Sequence, residues 1–166
     1  MPNNLSIRSY NTKPTSHTHD YHQLVFPLRG VIHIKVDSFD GKVAPGECVV
    51  VKAKEEHVFT ADSEARFVVA DMLTIPPNIS DSQRIFFAIN ASLKIYLSFV
   101  ANQLEYQVNR ALEKSMYETF YLLLTEQSLL PAVDSRIGAV MAFIEQNIAE
   151  QLQIKSLAKV AFLSET

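Results

Sequence analysis

His17-Thr18-His19-Asp20-Tyr21-His22-Gln23-Leu24-Val25-Phe26-Pro27-Leu28-Arg29-Gly30 sets three histidines and a glutamine just ahead of an apolar run. In an extended segment side chains alternate between faces, so His17, His19 and Gln23 share one face and His22 takes the other. Another histidine, His57, follows Pro45-Gly46 by eleven positions in a different predicted strand, from which it can reach the same face. Two imidazoles from one strand, a third from another and one oxygen donor make a ligand set that iron, manganese, zinc or nickel accepts.

Around this stretch the chain is β-like from Leu5 to about Leu73. Candidate strands are Leu5–Tyr10, His22–Leu28, Val31–Val36, Glu47–Lys52, His57–Ala61 and Arg66–Met72, all rich in β-branched or aromatic residues. Ser38-Phe39-Asp40-Gly41 and Ala44-Pro45-Gly46 supply the turn chemistry between them. Closely spaced strands without intervening helices predict an antiparallel sandwich or barrel. Cys48, the single cysteine, stands in the apolar run to Val51 and reads as core filler. Pro76-Pro77 breaks the β pattern and marks an exit linker.

From about Ile79 the rhythm becomes helical. Leu93, Tyr96, Leu97, Val100 and Leu104, then Val108, Ala111, Leu112, Met116, Phe120 and Leu123, fall at helical spacing and predict two amphipathic helices or one broken one. Such stripes pack on the barrel, while the surplus apolar width at Tyr117, Tyr121, Leu122 and Leu124 leaves a seam for a second copy. Asp134 is a good N-cap for a third helix with Ile137, Val140, Met141, Ile144 and Ile148 on its buried stripe. Ser156–Ala161 reads as a short fourth helix, and Ser164 as the cap of one that begins with the last two residues.

The 166 residues suit one domain of ~150 residues plus a remainder. With 48% hydrophobic and 20% charged residues the chain is neither disordered nor fibrous. A net charge of -3 provides no overall positive field for phosphates or an anionic membrane. No apolar stretch reaches the ~18 residues of a membrane span, and the N-terminus lacks the order of a signal peptide, so a cytoplasmic protein is expected.

Residues 17–73 resemble the cupin barrel. His17 to Gly30 looks like its first motif, and Pro45-Gly46 with His57 like its second. The pattern departs where the family carries glutamate, here Gln23, and where a glycine precedes the first histidine. Residues 134–166, through Ser156-Leu157-Ala158-Lys159-Val160-Ala161-Phe162-Leu163-Ser164, resemble the first helix-turn-helix of AraC/XylS-type transcription regulators. Small alanines there let two helices cross closely.

Together these give an α+β expectation: a cupin-like antiparallel effector-binding barrel over 1–78, helical linker and dimerisation helices over 79–130, and a truncated helix-turn-helix over 131–166. The resemblance implies the effector-sensing and dimerisation portion of an AraC-type regulator, with a small-molecule effector, a homodimer, and DNA bound only by the full-length protein. Base reading belongs to the second helix of such a motif, and here only its first residues exist, so no DNA contact is complete. Residues 134–166 carry three basic and four acidic side chains, which adds little attraction for phosphate. The effector-pocket candidates are His17, His19, Gln23, His33 and His57, with Tyr21, Phe26 and Arg29 as stacking or anion-clamping groups; His33 reads equally as a surface strand residue. No catalytic residue and no cofactor are assigned. The alternative is a small metal-dependent cupin enzyme of dioxygenase or isomerase type, with one divalent transition metal on His17, His19, Gln23 and His57 and with Asp20, Arg29 and Glu56 as the nearby charged groups.

Overall fold

The computed structural model describes residues 3–9, 13–37, 39–61, 64–82, 84–106, 108–129, 140, 143–144, 147 and 152–161. Contacts divide the chain into two units, Met1–Pro131 and Ala132–Thr166.

Among the described residues the first unit is built from two antiparallel sheets and three helices. Its strands are β1 (Asn4–Arg8), β2 (Thr15–His17), β3 (His22–Arg29), β4 (Ile32–Val36), β5 (Phe39–Val43), β6 (Glu47–Val51), β7 (His57–Ala61), β8 (Arg66–Met72) and β9 (Phe86–Ala88). One sheet runs β1-β8-β3-β6-β9 and the other β2-β7-β4-β5. The helices are the short α1 (Pro77–Ser80), then α2 (Ala91–Gln103) and α3 (Arg110–Thr125).

Strand composition decides which sheet lies in the middle. In β4 only the even positions Ile32, Ile34 and Val36 are buried, so its sheet has one covered face. In β3, β6 and β8 both parities are apolar and buried, so their sheet must be covered on both faces. Val25, Val49, Val51, Phe67 and Val69 meet Ile32, Ile34, Val36 and Phe59 between the sheets. Leu24, Phe26, Cys48, Val50, Val68 and Ala70 face the other way, against Leu93, Leu97, Val100, Met116, Phe120 and Leu124 of the helices. The helical stripe read from the sequence thus closes the core, leaving Ile95, Phe99 and Leu122 exposed. Cys48 lies wholly inside it, where burial pushes its thiol well above the usual range.

Local chemistry fixes the ends of these elements. The Asn90 and Asn109 side chains each accept the amide three residues on, at 2.9 Å, and start α2 and α3. Pro27 has no N–H for a central ladder; it lies past the Gln23–Val25 pairing with β6, where the register with β8 shifts.

Two expectations need correction. Asp40-Gly41 does not turn the chain: both lie in β5, and the reversal falls earlier, where Asp37 has φ 49°. A side chain at Gly41 would come within 2.9 Å of the Phe39 ring, so its glycine makes room for packing. Residues 79–130 also contribute a strand that the sequence did not reveal, since β9 pairs with β6 from Glu47–Ala88 to Val49–Phe86.

In the second unit α4 (Ile154–Val160) is helical, as are Val140, Phe143 and Ile144. The helix assigned to Ser156–Ala161 therefore exists, begun two residues earlier. The caps assigned to Asp134 and Ser164 lie outside the described residues.

Candidate functional site

The loop between β6 and β7 builds one end of the sandwich. Lys54 takes a left-handed φ of 69°, and the Glu55 carboxylate accepts the Lys52 amide at 2.8 Å. That turn stitches itself to the stretch before β3: the Lys54 amide donates to the His19 carbonyl (2.8 Å) and the Ala53 amide to His22 Nδ1 (3.2 Å). β2 pairs with β7 so that His17 stands opposite His57.

Three imidazoles meet there. Ring centroids lie 4.3 Å apart for His17 and His57, 4.8 Å for His19 and His57, and 6.1 Å for His17 and His19. One nitrogen from each falls within 4.8 Å of the others. His57 is fully buried, and its Nδ1 lies 3.0 Å from the Glu55 carbonyl; His19 Nδ1 lies 2.6 Å from the Tyr21 carbonyl. A carbonyl only accepts, so both rings carry their proton on Nδ1. Each Nε2 is then a bare lone pair, buried and without a protein partner. Burial, opposed by the Glu55 carbonyl and reinforced by the charges of His17 and His19, holds His57 down to about 4. Burial lowers His17 as well, with help from His19 and then Arg8.

Gln23 extends this set from the facing sheet. It is fully buried, its Nε2 donates to Asp71 Oδ1 at 2.8 Å, and Asp71 Oδ2 takes the Arg8 guanidinium. Gln23 and Asp71 share the parity of Val25 and Val69, hence the face between the sheets. Gln23 Oε1 is buried without a partner.

The arrangement tests the metal set read from the sequence. Imidazole nitrogens whose far side is fixed by a backbone acceptor are oriented as metal-bound histidines are, and they suit a divalent transition-metal ion. All four donors are neutral, however, and the carboxylate hydrogen-bonded to Gln23, that of Asp71, is engaged by Arg8.

The histidines reach each other by another route than the one inferred. His17 ends β2 in the four-stranded sheet, the chain bends at Asp20 and Tyr21, and Gln23 belongs to β3 in the other sheet. His33 is excluded from the interior: Ile32 and Ile34 point inward, so it points outward and pairs with Asp40 at 2.9 Å. Phe26 faces the helices instead, edge-on to Phe120. Arg29 pairs with Glu64 on the surface, and Glu56 accepts from Ser16 there at 2.7 Å. Tyr21 does stack, on His19 itself, with centroids 4.3 Å apart. Arg8 and Asp71 were not singled out from sequence. Asp71 had a signal, a carboxylate inside the apolar run from Phe67 to Met72, because a buried charge in a strand needs a partner.

Residues 9–75 match the cupin domain. The chain is 24% identical to the probable transcriptional regulator LumQ of Photobacterium leiognathi, aligning 96% of itself with 67% of that protein. It is 26% identical to the uncharacterized HTH-type transcriptional regulator YobQ of Bacillus subtilis (strain 168), over 92% of itself and 61% of that protein. The chain spans about two thirds of the length of these curated relatives. Among solved structures, the AraC-like transcriptional activator CuxR superposes with a TM-score of 0.50 at 10% identity, over 92% of this chain and 63% of that one, a likeness of fold.

Proposed function

From a chain whose residues 9–75 match the cupin domain and whose relatives are transcriptional regulators, we propose the effector-sensing and dimerisation portion of an AraC-type regulator that acts in the cytoplasm. The observation that carries the sensing role is the set of buried, unpartnered acceptors: His19 Nε2, His57 Nε2 and Gln23 Oε1. Each unsatisfied buried polar atom costs about 1–3 kcal/mol, which a ligand that donates to these atoms recovers on binding. The effector is accordingly a small molecule with hydroxyl or ammonium donors, or one presented by a cation held on His17, His19 and His57. When bound, that cation supplies a Lewis-acid contact to an oxygen of the effector. The Glu55 and Tyr21 carbonyls orient the His57 and His19 rings, and Phe59 packs edge-on against His57 with ring centroids 4.8 Å apart.

We read the portion as non-catalytic, because Arg29 and Glu56, two of the candidate charged groups, are engaged at the surface. Switching requires that the effector bind two arrangements of the regulator unequally. DNA is the partner of the full-length protein.

The test is a thermal-shift screen of polyols, amino sugars and short amines, with and without zinc, on the native chain and on His57→Ala. A specific ligand at 100 times its Kd adds about 2.7 kcal/mol, a rise of roughly 5–10 °C for a chain of this size. That rise is expected in the native chain and absent in His57→Ala. Turnover of an organic substrate by the metal-loaded chain would replace this reading with the enzyme alternative.

The seam read at Tyr117, Tyr121, Leu122 and Leu124 is largely taken up by the core, since Leu124 is fully buried and Tyr117 and Tyr121 pack against that core. We therefore place dimerisation on the exposed side of α2, where Ile95 and Phe99 lie one turn apart and are 71% and 45% exposed. Sedimentation is expected to show a dimer that Ile95→Asp converts to monomer. A native monomer at high concentration would remove the assignment.

A further inference from the structure

Gln23 stands at the one position where this cupin-like set lacks a carboxylate, and a buried amide can present either its oxygen or its nitrogen to a cavity. The residue behind it decides which. Asp71 is acceptor-only when ionised, so the amide end that faces it must be Nε2, and the oxygen is turned the other way. Arg8 reaches Asp71 from β1 and holds its other carboxylate oxygen in place. An asparagine in place of Asp71 would behave differently, because its own amide nitrogen would call the Gln23 oxygen toward itself.

Topology places the outcome at the histidine end. Gln23 pairs with Val51, the last residue of β6, and the loop from Lys52 to Glu56 leads directly to His57 at the start of β7. The same loop holds the His19 carbonyl through Lys54. We propose that Asp71, anchored by Arg8, is a positioning residue that turns the Gln23 amide oxygen toward the His19 and His57 lone pairs, giving a charge-neutral, acceptor-only site for a divalent transition-metal ion.

This rests on the reading of the sandwich interior as the binding site. It also accounts for glutamine at this place: a glutamate there would set a second carboxylate against Asp71, and like charges at that range resist joint ionisation.

The probe is Co2+, followed by its visible d–d absorption and by calorimetric titration of the chain. The variants are His19→Ala, Asp71→Asn and the exchange pair Gln23→Glu with Asp71→Asn. Asp71→Asn keeps the shape and lets Arg8 bind its oxygen, so the thermal midpoint stays near native while the Gln23 amide reverses. Partners one step behind the ligands are worth about 10–100-fold in metal affinity, and a weakening of that size with an altered spectrum is expected. In the exchange pair the amide introduced on β8 donates to the carboxylate introduced on β3. The hydrogen bond between the two strands re-forms and a carboxylate takes the site, so affinity returns to the native value or exceeds it. Native affinity and spectrum in Asp71→Asn would overturn the proposal while leaving the histidine site standing. Cobalt binding that survives His19→Ala would overturn the site reading itself, and a native chain that takes no cobalt would overturn both the cation and the positioning role while leaving an organic effector in place.

Discussion

Phe26→Ala is expected to destabilise the chain by about 3–5 kcal/mol, the range of a fully buried phenylalanine cut to a methyl group. The size follows from position. Phe26 has no exposed surface, sits on the middle strand of the covered sheet, and meets Phe120 of α3 edge-on with centroids 5.6 Å apart. Truncation therefore opens a cavity where sheet and helix both depend on contact, and neither can close it without shifting a ladder or a helix. Against a typical domain stability of about 5–15 kcal/mol such a loss is a large fraction of the whole. Urea unfolding checks it. The midpoint falls sharply in Phe26→Ala and in Phe120→Ala, and the double variant falls by less than the sum because the ring pair, worth about 0.5–1.5 kcal/mol beyond its area, is removed only once. The exposed Leu73→Ala is expected to stay within about 0.5 kcal/mol of native. Equal losses at Phe26 and Leu73 would mean that the helices do not enclose Phe26.

The same residue shows what the sequence could convey. Closeness to the histidines along the chain groups Phe26 with the pocket, yet even parity on β3 sends it to the helix side and odd parity sends Gln23 inward. Six strands, the two long helices and the break at Pro76-Pro77 were legible because each leaves a local periodicity or a missing amide, whereas β2, β5 and β9 were not. Alternation in Ile32–Val36 likewise makes His33 a surface residue, and the pattern was present to be used. The gathering of His17, His19 and His57 depends instead on β2 pairing with β7 in a sheet that excludes β3, and on a loop turned by Lys54 in a left-handed conformation. Register between distant strands is set by packing of whole faces, so residue spacing within one segment carries little of it. Asp71 was hidden for the same reason: its partners Arg8 and Gln23 are 63 and 48 positions away.

Acid sensitivity is the second large effect, and its sign follows from His57. In the unfolded chain this group titrates at its ordinary value of 6.5, and in the folded chain burial holds it down to about 4. Between those values the unfolded state binds more protons than the folded one, so stability rises with pH across the window. The contribution is fully present above pH 6.5 and is lost as pH falls toward 4. At 1.36 kcal/mol per pH unit the loss approaches roughly 3 kcal/mol for this group alone. His17 and His22 are also lowered by burial and act in the same direction. The measurement is urea unfolding in chelator at a series of pH values from 7.5 downward, native against His57→Gln. The variant is less stable at neutral pH because the Glu55 carbonyl changes partner, so the slopes are compared rather than the absolute values. The native chain should lose stability through the window more steeply than His57→Gln, by close to one proton. Parallel acid limbs in the two proteins would show that His57 is solvated when folded, and the same result would remove the dry, lone-pair-lined interior on which effector or cation binding depends.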